Sequence, residues 1–395
     1  MNKYPLIGKC LAVGIILLFI GTSILPSSGQ TIDKLSLPLS RGNTLYVGGS
    51  GPGNYSRIQD AIDNATNGDT VFVYDDSAPY SEHIFIYRAI KLIGENKETT
   101  VINNINSSYT VEITSTPVSI SSFTINANYH SQNYSRVYRS LNVLTNNNII
   151  SNNIFQNAWM GISVKAKNNV IENNLFRQLR SGIELVSSNH NTISNNTLSN
   201  PGGAGDGILI NNGDRNTIEN NNIAGFFNCI EAMNYCLFNK IINNTLNCTA
   251  SRFGINMNWL LTNQSYIISA TNFEIAENVI SNASDGAAIY IHGGMHNIHH
   301  NIITRCYWGI RLEGGSTFIH HNTFLDNQGD VTFRLYLLNA VTTFFFRNYW
   351  NETLLHPKPI SGQIGLFRFY PLYFHSWIKY DWFPAQEPNN IPGMR

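Results

Sequence analysis

Charged residues are scarce in this chain and show no excess of either sign. Only 13% of the 395 residues are Asp, Glu, Lys or Arg, and 25 basic residues balance 25 acidic ones. A chain without surplus positive charge lacks the attraction that drives most nucleic-acid binding. The hydrophobic share of 43% is ample for a buried core and argues against disorder. The composition therefore predicts a folded protein that does not bind nucleic acid.

Cysteine is also scarce, and no CxxC pair is present. Cys10 lies before the first apolar run, and the other four are Cys229, Cys236, Cys248 and Cys306. In an oxidising compartment four cysteines can form two disulfides in three ways. The sequence does not choose among these pairings.

The N-terminal segment has the pattern of an export signal. Lys3 and Lys9 precede an apolar run over residues 11–20, and small residues lead to Gly29. We expect a signal peptide over residues 1–30, followed by a linker over 31–43, in a secreted or cell-surface protein. The alternative is an uncleaved anchor, which would be the only membrane contact.

Two short elements recur along the chain. One is Gly-Ile-x-apolar, which begins at Gly161, Gly182, Gly207, Gly254 and Gly309. The other is an Asn before an apolar or Thr-apolar pair, at Asn153, Asn174, Asn196, Asn222, Asn244, Asn278, Asn301 and Asn322. A period in the twenties indicates a solenoid.

These repeats predict an all-β, single-stranded right-handed parallel β-helix over residues 44–343. Short alternating strands bury a shared core when coils stack about 4.8 Å apart, and the recurrent Asn can bond the Asn one coil away. A leucine-rich repeat has a similar period, but its leucine pattern is missing. We expect an N-terminal capping helix behind a Ser56 N-cap, and a last coil with an aromatic C-terminal cap over 344–395.

Several motifs resemble known β-helix families. Residues 44–53, 58–62 and 68–71 resemble the opening of pectin-lyase-like proteins. The Asn-x-Ile-x-x-Asn coils and Asn348-Tyr-Trp350 resemble the NosD-type family, also described as carbohydrate-binding and sugar-hydrolysis domains. The tail around residues 380–388 resembles exported archaeal members. The resemblance implies a surface β-helix with a glycan partner, and the NosD name implies copper as a candidate cofactor.

Strand alternation predicts one face for chemistry. Tyr290, His292, Arg311 and Glu313 should point outward from two adjacent coils. Uronate lyases and epimerases need a base for the C5 proton, for which Tyr290 or His292 would serve, and a cation beside the sugar carboxylate, for which Arg311 would serve. The alternative is an ordinary charge pair on a solvated face.

A wider substrate-binding surface is predicted around this block. Glu184 and Glu231 share the outward column two coils apart, with Leu209 between them, which disfavours a hydrolytic pair. The same face supplies Asn256 and Asn258, and the long insertion after it supplies Trp259, with Trp308 nearby. These tryptophans could stack on sugar rings, and the alternative is that they are buried and seal a lateral loop.

A histidine cluster is the candidate metal site. Its members are Met295, His296, His299, His300, His320 and His321. Stacking predicts that His299 lies beside His320 and His300 beside His321, close enough to share a metal. The alternative is that His300 and His321 fill a turn slot held elsewhere by Asn.

Three hypotheses for function follow. The first is a surface protein that binds polysaccharide and could process it as a lyase, epimerase or glycoside hydrolase. The second is a copper-binding accessory protein of the NosD type. The third is a structural component of the cell envelope without catalytic activity. Whether the chain is an enzyme stays open at this stage.

Overall fold

The computed structural model describes residues 42–388, apart from residues 106, 129–137, 203, 250–251, 259–269, 337–341, 353, 355 and 366–373. The expected export signal over residues 1–30 lies outside this range and stays a prediction. Within the range, no helix is both long and apolar enough to cross a membrane.

The described chain forms a parallel β-helix of about 12 coils. Its strands make three sheets, and each strand pairs in parallel with the equivalent strand of the next coil. The first sheet contains Thr44–Val47, Thr70–Val73, Lys91–Gly94, Ser119–Ser121, Ile149–Ser151, Val170–Glu172, Thr192–Ser194, Thr217–Glu219, Lys240–Ile242, Glu274–Ala276, His296–His299, Thr317–His320 and Phe344–Phe346. The second contains Tyr80–Ser81, Val101–Asn103, Thr124–Asn126, Ile154–Val164, Leu175–Val186, Thr197–Ser199, Asn222–Ala224, Thr245–Asn247, Val279–Ser281, Ile302–Thr304, Thr323–Leu325 and Tyr349–Trp350.

The third sheet carries the outward column of candidate residues. It contains Ile84–Ile86, Tyr109–Ile113, Arg139–Val143, Asp206–Asn211, Asn228–Met233, Phe253–Asn258, Ala287–His292, Trp308–Glu313, Gly329–Tyr336 and Lys358–Gly365. Ile154–Val164 and Leu175–Val186 are long enough to continue from the second sheet into the third. The last strand, Phe374–Asp381, pairs antiparallel with Lys358–Gly365. The predicted right-handed parallel β-helix is confirmed.

The core consists of stacked columns of like residues. In the first sheet the middle residue of each three-residue strand points inward, as Ile193, Ile218 and Ile241 do, and these side chains are fully buried. Alternation sends the flanking residues outward, so each coil contributes only one or two apolar side chains per strand. One coil cannot bury them alone, and stacking removes their apolar surface from water.

Buried asparagines form a ladder between the first and second sheets. Its members are Asn153, Asn174, Asn196, Asn221, Asn244, Asn278, Asn301, Asn322 and Asn348. The backbone N–H of Asn196 donates to Asn221 Oδ1 at 3.0 Å, and Asn196 Nδ2 donates to the Ile171 carbonyl at 2.8 Å. A second ladder, on the other side of the first sheet, contains Asn148, Asn169, Asn191, Asn216 and Asn239. The predicted amide bonding between coils is confirmed.

The left-handed turn residue lies one position earlier than the ladder asparagine. Asn195 and Asn220 have φ of 55° and 57°, and each precedes a ladder residue. The repeat predicted both roles for one Asn, whereas two adjacent residues share them. In the coil of Asn220 the ladder residue is Asn221, so the predicted Asn222 is wrong there. Asn tolerates the left-handed region better than most residues, which explains the frequent Asn-Asn pairs.

The helix Ile58–Asn64 covers the N-terminal end and buries Ile58, Ala61 and Ile62. The expected Ser56 N-cap is wrong, because Arg57 holds that position and its side chain makes no capping bond. Instead, the Glu82 carboxylate accepts hydrogen bonds from Ile58 N at 2.8 Å and Gln59 N at 3.1 Å. A carboxylate from the next coil therefore satisfies the first-turn donors.

The ladder ends on a buried carboxylate of the C-terminal strand. Asp381 is fully buried and accepts hydrogen bonds from Asn348 Nδ2 at 3.0 Å and Trp350 Nε1 at 3.2 Å. It also accepts from the backbone N–H of Asn348 at 2.9 Å. The C-terminal strand thus supplies the acceptors that a further coil would provide.

We predict that Asn221→Ala lowers the free energy of unfolding by about 3 kcal/mol, because it leaves buried donors of Asn196 without acceptors. The neighbouring Asn222 is exposed on a strand, so Asn222→Ala should change stability by less than about 0.5 kcal/mol. Urea denaturation of both variants measures the difference. Equal, small losses would show that the ladder contributes little.

Candidate functional site

The outward column of the third sheet follows the predicted order. Strand register places Glu184, Leu209, Glu231, Asn256, Tyr290 and Arg311 at equivalent positions on successive coils. This placement agrees with the sequence analysis. The roles that the sequence analysis gave to these residues stay predictions.

A cleft of about 570 Å³ opens over this column. It is lined by Arg180, Ala204, Gly205, Asp206, Phe227, Asn228, Glu231, Arg252, Phe253, Asn256, Tyr290 and Arg311. Four of the sequence candidates therefore meet here, namely Glu231, Asn256, Tyr290 and Arg311. The repeat pattern did not indicate four further lining residues, namely Asp206, Asn228, Arg180 and Arg252.

The centre of the cleft is a carboxyl pair held by two amides. The Asp206 and Glu231 carboxyl groups lie close enough that each affects the pKa of the other. Asn228 Nδ2 donates to Asp206 Oδ1 at 2.9 Å and to Glu231 Oε2 at 3.3 Å. Asn256 Nδ2 donates to Glu231 Oε1 at 2.9 Å. Two carboxyl groups this close favour a state in which one of them is protonated.

Burial and mutual repulsion set the protonation of this pair. Burial, followed by the nearby charge and hydrogen bond of Asp206, raises the pKa of Glu231 to about 8. Burial also raises the pKa of Asp206. Near neutral pH the Glu231 carboxyl group therefore keeps its proton beside Asp206. A pair of this kind can either give or take a proton, which is typical of catalytic sites.

The strand Asp206–Asn211 departs from simple alternation at its start, and this explains why Asp206 was missed. Gly207 and Ile208 are both buried, and a Cβ at Gly207 would lie 2.5 Å from the Cys229 carbonyl, so a glycine permits the close approach of coils there. Simple alternation places residues 206 and 209 on opposite faces, whereas Asp206 lines the cleft. Asn228 faces the same cleft for the same reason.

Three arginines surround the acidic centre. The guanidinium carbon of Arg180 lies 4.3 Å from the Trp159 ring centroid, and that of Arg252 lies 5.2 Å from the Phe253 ring. Arg311 lies 5.5 Å from the Tyr290 ring. Aromatic contacts hold guanidinium groups in place while leaving their planar donors available for carboxylates.

Of the predicted block, Tyr290 and Arg311 line the cleft, whereas His292 and Glu313 do not. Arg311 Nε donates to Glu313 Oε1 at 3.0 Å, which is the charge pair weighed as the alternative. Burial and the Glu313 charge raise the pKa of Tyr290 to about 12, so its hydroxyl keeps its proton near neutral pH. This favours Tyr290 as a hydrogen-bond donor rather than a base. His292 pairs in register with Glu313, outside the cleft lining.

The other substrate-binding candidates lie apart from the carboxyl pair. Trp308 lines a neighbouring depression of about 480 Å³ together with Arg311 and Glu313. Glu184 is separated from Glu231 by Leu209, and burial raises the pKa of Glu184. Asn258 ends its strand, but its side chain and the whole of Trp259 lie outside the described residues.

The two histidine rows, His299 with His300 and His320 with His321, stack as predicted. The ring centroids of His299 and His320 lie 5.0 Å apart, and those of His300 and His321 lie 5.1 Å apart. His300 and His321 have φ of 55° and 54°, and they occupy the left-handed turn slot that Asn195 fills elsewhere. Within each row, the two Nδ1 atoms approach to 2.9 Å and 2.8 Å.

Two members of the predicted metal set separate from these rows. His296 points inward on its strand, is 2% exposed, and contacts the Phe273 ring, and burial lowers the pKa of His296 to about 3. It lies on the opposite face of the strand from His299, because the two residues are three apart. Met295 is 62% exposed at the preceding turn. Among the described residues, no group of three or more His, Cys, Asp or Glu side chains is arranged to hold a metal.

Comparison with known families now identifies the scaffold. The right-handed β-helix region family matches residues 55–205 and 139–264, which together cover more than half of the chain. The chain belongs to this family. The periplasmic copper-binding protein (NosD) family matches residues 249–363, a range that contains both histidine rows. No curated protein gives a significant match.

Solved structures share the fold at low sequence identity. The A-module of the mannuronan C-5 epimerase AlgE6 from Azotobacter vinelandii is 14% identical, with a TM-score of 0.53 over 74% of this chain and 88% of its own. DFA-IIIase from Arthrobacter chlorophenolicus A6, in complex with GF2, is 12% identical, with a TM-score of 0.58 over 75% and 94%. The Dettilon tailspike protein is 14% identical, with a TM-score of 0.57, and this chain spans 66% of its length. These likenesses show the fold alone.

We predict that Glu231 makes a contribution to protein stability that falls as pH rises from about 5 to about 8. The Glu231 pKa rises from 4.5 to about 8 on folding, so the folded chain binds this proton more tightly than the unfolded chain. Glu231→Gln removes this contribution, so its slope of unfolding free energy against pH should be more positive than that of the wild type across this window. Exposed Glu98→Gln serves as the control. Parallel slopes for all three proteins would contradict the raised pKa of Glu231.

Proposed function

We propose that this protein binds polysaccharide in the cleft of the third sheet and processes it by proton transfer at the Asp206–Glu231 pair. The observation that carries the proposal is a carboxyl pair in an open cleft that three arginines also line. Glu231 is buried and has a raised pKa, and Asp206 is partly buried beside it. Open clefts with a few convergent polar groups and perturbed pKa values are typical of binding and catalytic sites.

Each group has a role that suits an acidic glycan. Arg180, Arg252 and Arg311 would bind sugar carboxylates through paired N–H donors. The Tyr290 hydroxyl would donate to a sugar oxygen. Phe227, which is 46% exposed, offers an apolar surface for the C–H face of a sugar ring. The carboxyl pair would take the proton next to a uronate carboxylate, which a neighbouring guanidinium makes more acidic.

We further propose that the protein works outside the cytoplasm. The lysine-flanked apolar run in residues 11–20 supports export. The NosD match supports the same compartment, because that family is periplasmic. The archaeal source rests on the resemblance of the tail alone.

Titration of the purified protein with polyuronates and with neutral glucans tests the binding. We expect the wild type to prefer polyuronates, and Arg311→Ala to weaken their binding by about tenfold, because one charged hydrogen-bonding partner is lost. Lys91→Ala, an exposed change on the first sheet, should have no effect. Failure of the wild type to bind any glycan would contradict the proposal.

The same panel separates catalysis from binding. Glu231→Gln keeps the shape of the pair but removes an acid, so we expect polyuronate binding within a factor of about 3 of the wild type. Lyase or epimerase turnover should fall by at least about 100-fold. Binding without turnover in the wild type would reduce the function to glycan recognition.

Copper binding is the second candidate. The hydrogen bonds of His320 and His321 favour it, because they leave one ring nitrogen without a proton. Burial lowers the pKa of His320 to about 3, so its ring is neutral. His320 Nε2 lies 3.0 Å from Asn297 Oδ1 and donates to it, which leaves His320 Nδ1 to accept from His321 Nδ1. The neutral His321 ring then has an unprotonated Nε2. Imidazole nitrogen is a suitable copper ligand, although the rows do not form a closed site of three ligands.

Calorimetric titration with Cu(I) and Cu(II) tests this candidate. The paired change His300→Asn and His321→Asn keeps a residue type that the turn slot holds in other coils, so the fold should be retained. We expect this variant to lose copper binding, whereas His190→Asn, at another left-handed turn, should not. Unchanged binding in the double variant would remove the histidine rows as a copper site. Absence of both glycan and copper binding would favour a structural envelope protein.

A further inference from the structure

Two of the four described cysteines meet inside the core of one coil. Cys229 lies on the strand Asn228–Met233 of the third sheet, and Cys248 follows the strand Thr245–Asn247 of the second. Their Sγ atoms are 3.8 Å apart, and both side chains are fully buried. Sulfur atoms at this distance are already in van der Waals contact.

Cys229 occupies a position that is Gly or Ala in the neighbouring coils. From the coil of Gly161 to that of Gly309, the slot holds Gly, Gly, Gly, Cys, Gly, Ala and Gly. A Cβ at Gly182 would lie 2.5 Å from Leu198 Cδ2, and a Cβ at Gly207 would lie 2.5 Å from Ile223 Cγ2. These coils leave little room for a side chain at the slot. Cys229 is the one residue at this slot in the run whose side chain is larger than a methyl group, and Cys248 faces it.

The other two cysteines have different surroundings. The Cys236 thiol lies 3.0 Å from the Met233 carbonyl, and the Cys306 thiol lies 3.3 Å from the Thr304 carbonyl. The contacts of Cys229 and Cys248 with backbone carbonyls are longer, at 3.8 Å each. Hydrogen bonds to backbone suit Cys236 and Cys306 as thiols, whereas the sulfur of Cys248 faces sulfur.

We propose that Cys229 and Cys248 form a disulfide that links the second and third sheets across one coil. The structure has both as thiols, so this proposal concerns the oxidised protein. A disulfide needs an S–S distance of about 2.05 Å, so the two sulfur atoms, now 3.8 Å apart, must approach each other when the bond forms. The bond would enclose a loop of 19 residues next to the cleft residues Asn228 and Glu231.

The bond forms by thiol–disulfide exchange with a disulfide oxidant, such as a small-molecule disulfide or an oxidoreductase. Cys229 and Cys248 together lose two protons and two electrons, and the disulfide of the oxidant becomes two thiols. The hydrogen bond with Cys229 and burial raise the pKa of Cys248, so little thiolate exists once the coil has closed. Exchange therefore takes place while the chain folds.

Peptide mapping after refolding with glutathione disulfide tests the bond. Trypsin cuts after Arg215, Lys240 and Arg252, which separates Cys229 and Cys248 into peptides 216–240 and 241–252. Because Cys236 lies in the first peptide, the Cys236→Ser variant of the full chain is used. After alkylation in denaturant, we expect these two peptides to be joined. Full alkylation of both cysteines, or joining of Cys248 to another cysteine, would overturn the proposal.

Thermal unfolding gives an independent result. We expect reduction of the refolded protein in denaturant, followed by refolding under reducing conditions, to lower the midpoint by roughly 5 °C, since a loop of this size is released. Cys229→Ala, a residue type that the column accepts at Ala288, should remove the difference between the two conditions. Cys306→Ser should preserve it. A redox-dependent midpoint that persists in Cys229→Ala would contradict this pairing.

Discussion

The amide ladder fixes the register of successive coils from Phe123 to Asn348, and the cleft depends on that register. Each ladder asparagine bonds twice to the backbone of the preceding coil, as Asn221 does when its Oδ1 accepts from Asn196 N and its Nδ2 donates to the Ile193 carbonyl. A shift of one residue would leave these buried groups without partners, which costs more than losing the same bonds in water. A shift would also send the outward column inward. The ladder therefore determines which side chains become neighbours.

The cleft uses the same amide chemistry to hold a charge arrangement that would otherwise be unfavourable. Two carboxyl groups in contact repel each other when both are ionised, and burial increases that cost. Asn228 donates to both members of the Asp206–Glu231 pair, and Asn256 donates to Glu231, which helps the pair to persist in contact. Binding of an anionic sugar would change the pKa values of this pair.

Periodicity predicted most of the fold, and its failures have physical causes. The repeat spacing placed the strands, the stacked histidines and the outward column from Glu184 to Arg311, because stacking copies one coil onto the next. It missed Asp206 because alternation is broken where Gly207 and Ile208 are both buried. It missed the Glu82 cap because that bond joins residues 24 apart and has no local signal. Alternation within His296–His299 would have separated the inward-pointing His296 from the partly exposed histidine rows.

The position of the histidine rows shows how this scaffold can vary without losing its fold. His300 and His321 occupy turn slots whose side chains face solvent, while the next residues, Asn301 and Asn322, continue the buried ladder. The turn slot requires only tolerance of a left-handed backbone, since Glu277 and Arg347 fill it in other coils. The ladder slot requires an amide that both donates and accepts. Chemical groups can therefore change along the turns and the outward column while adjacent asparagines keep the coils in register.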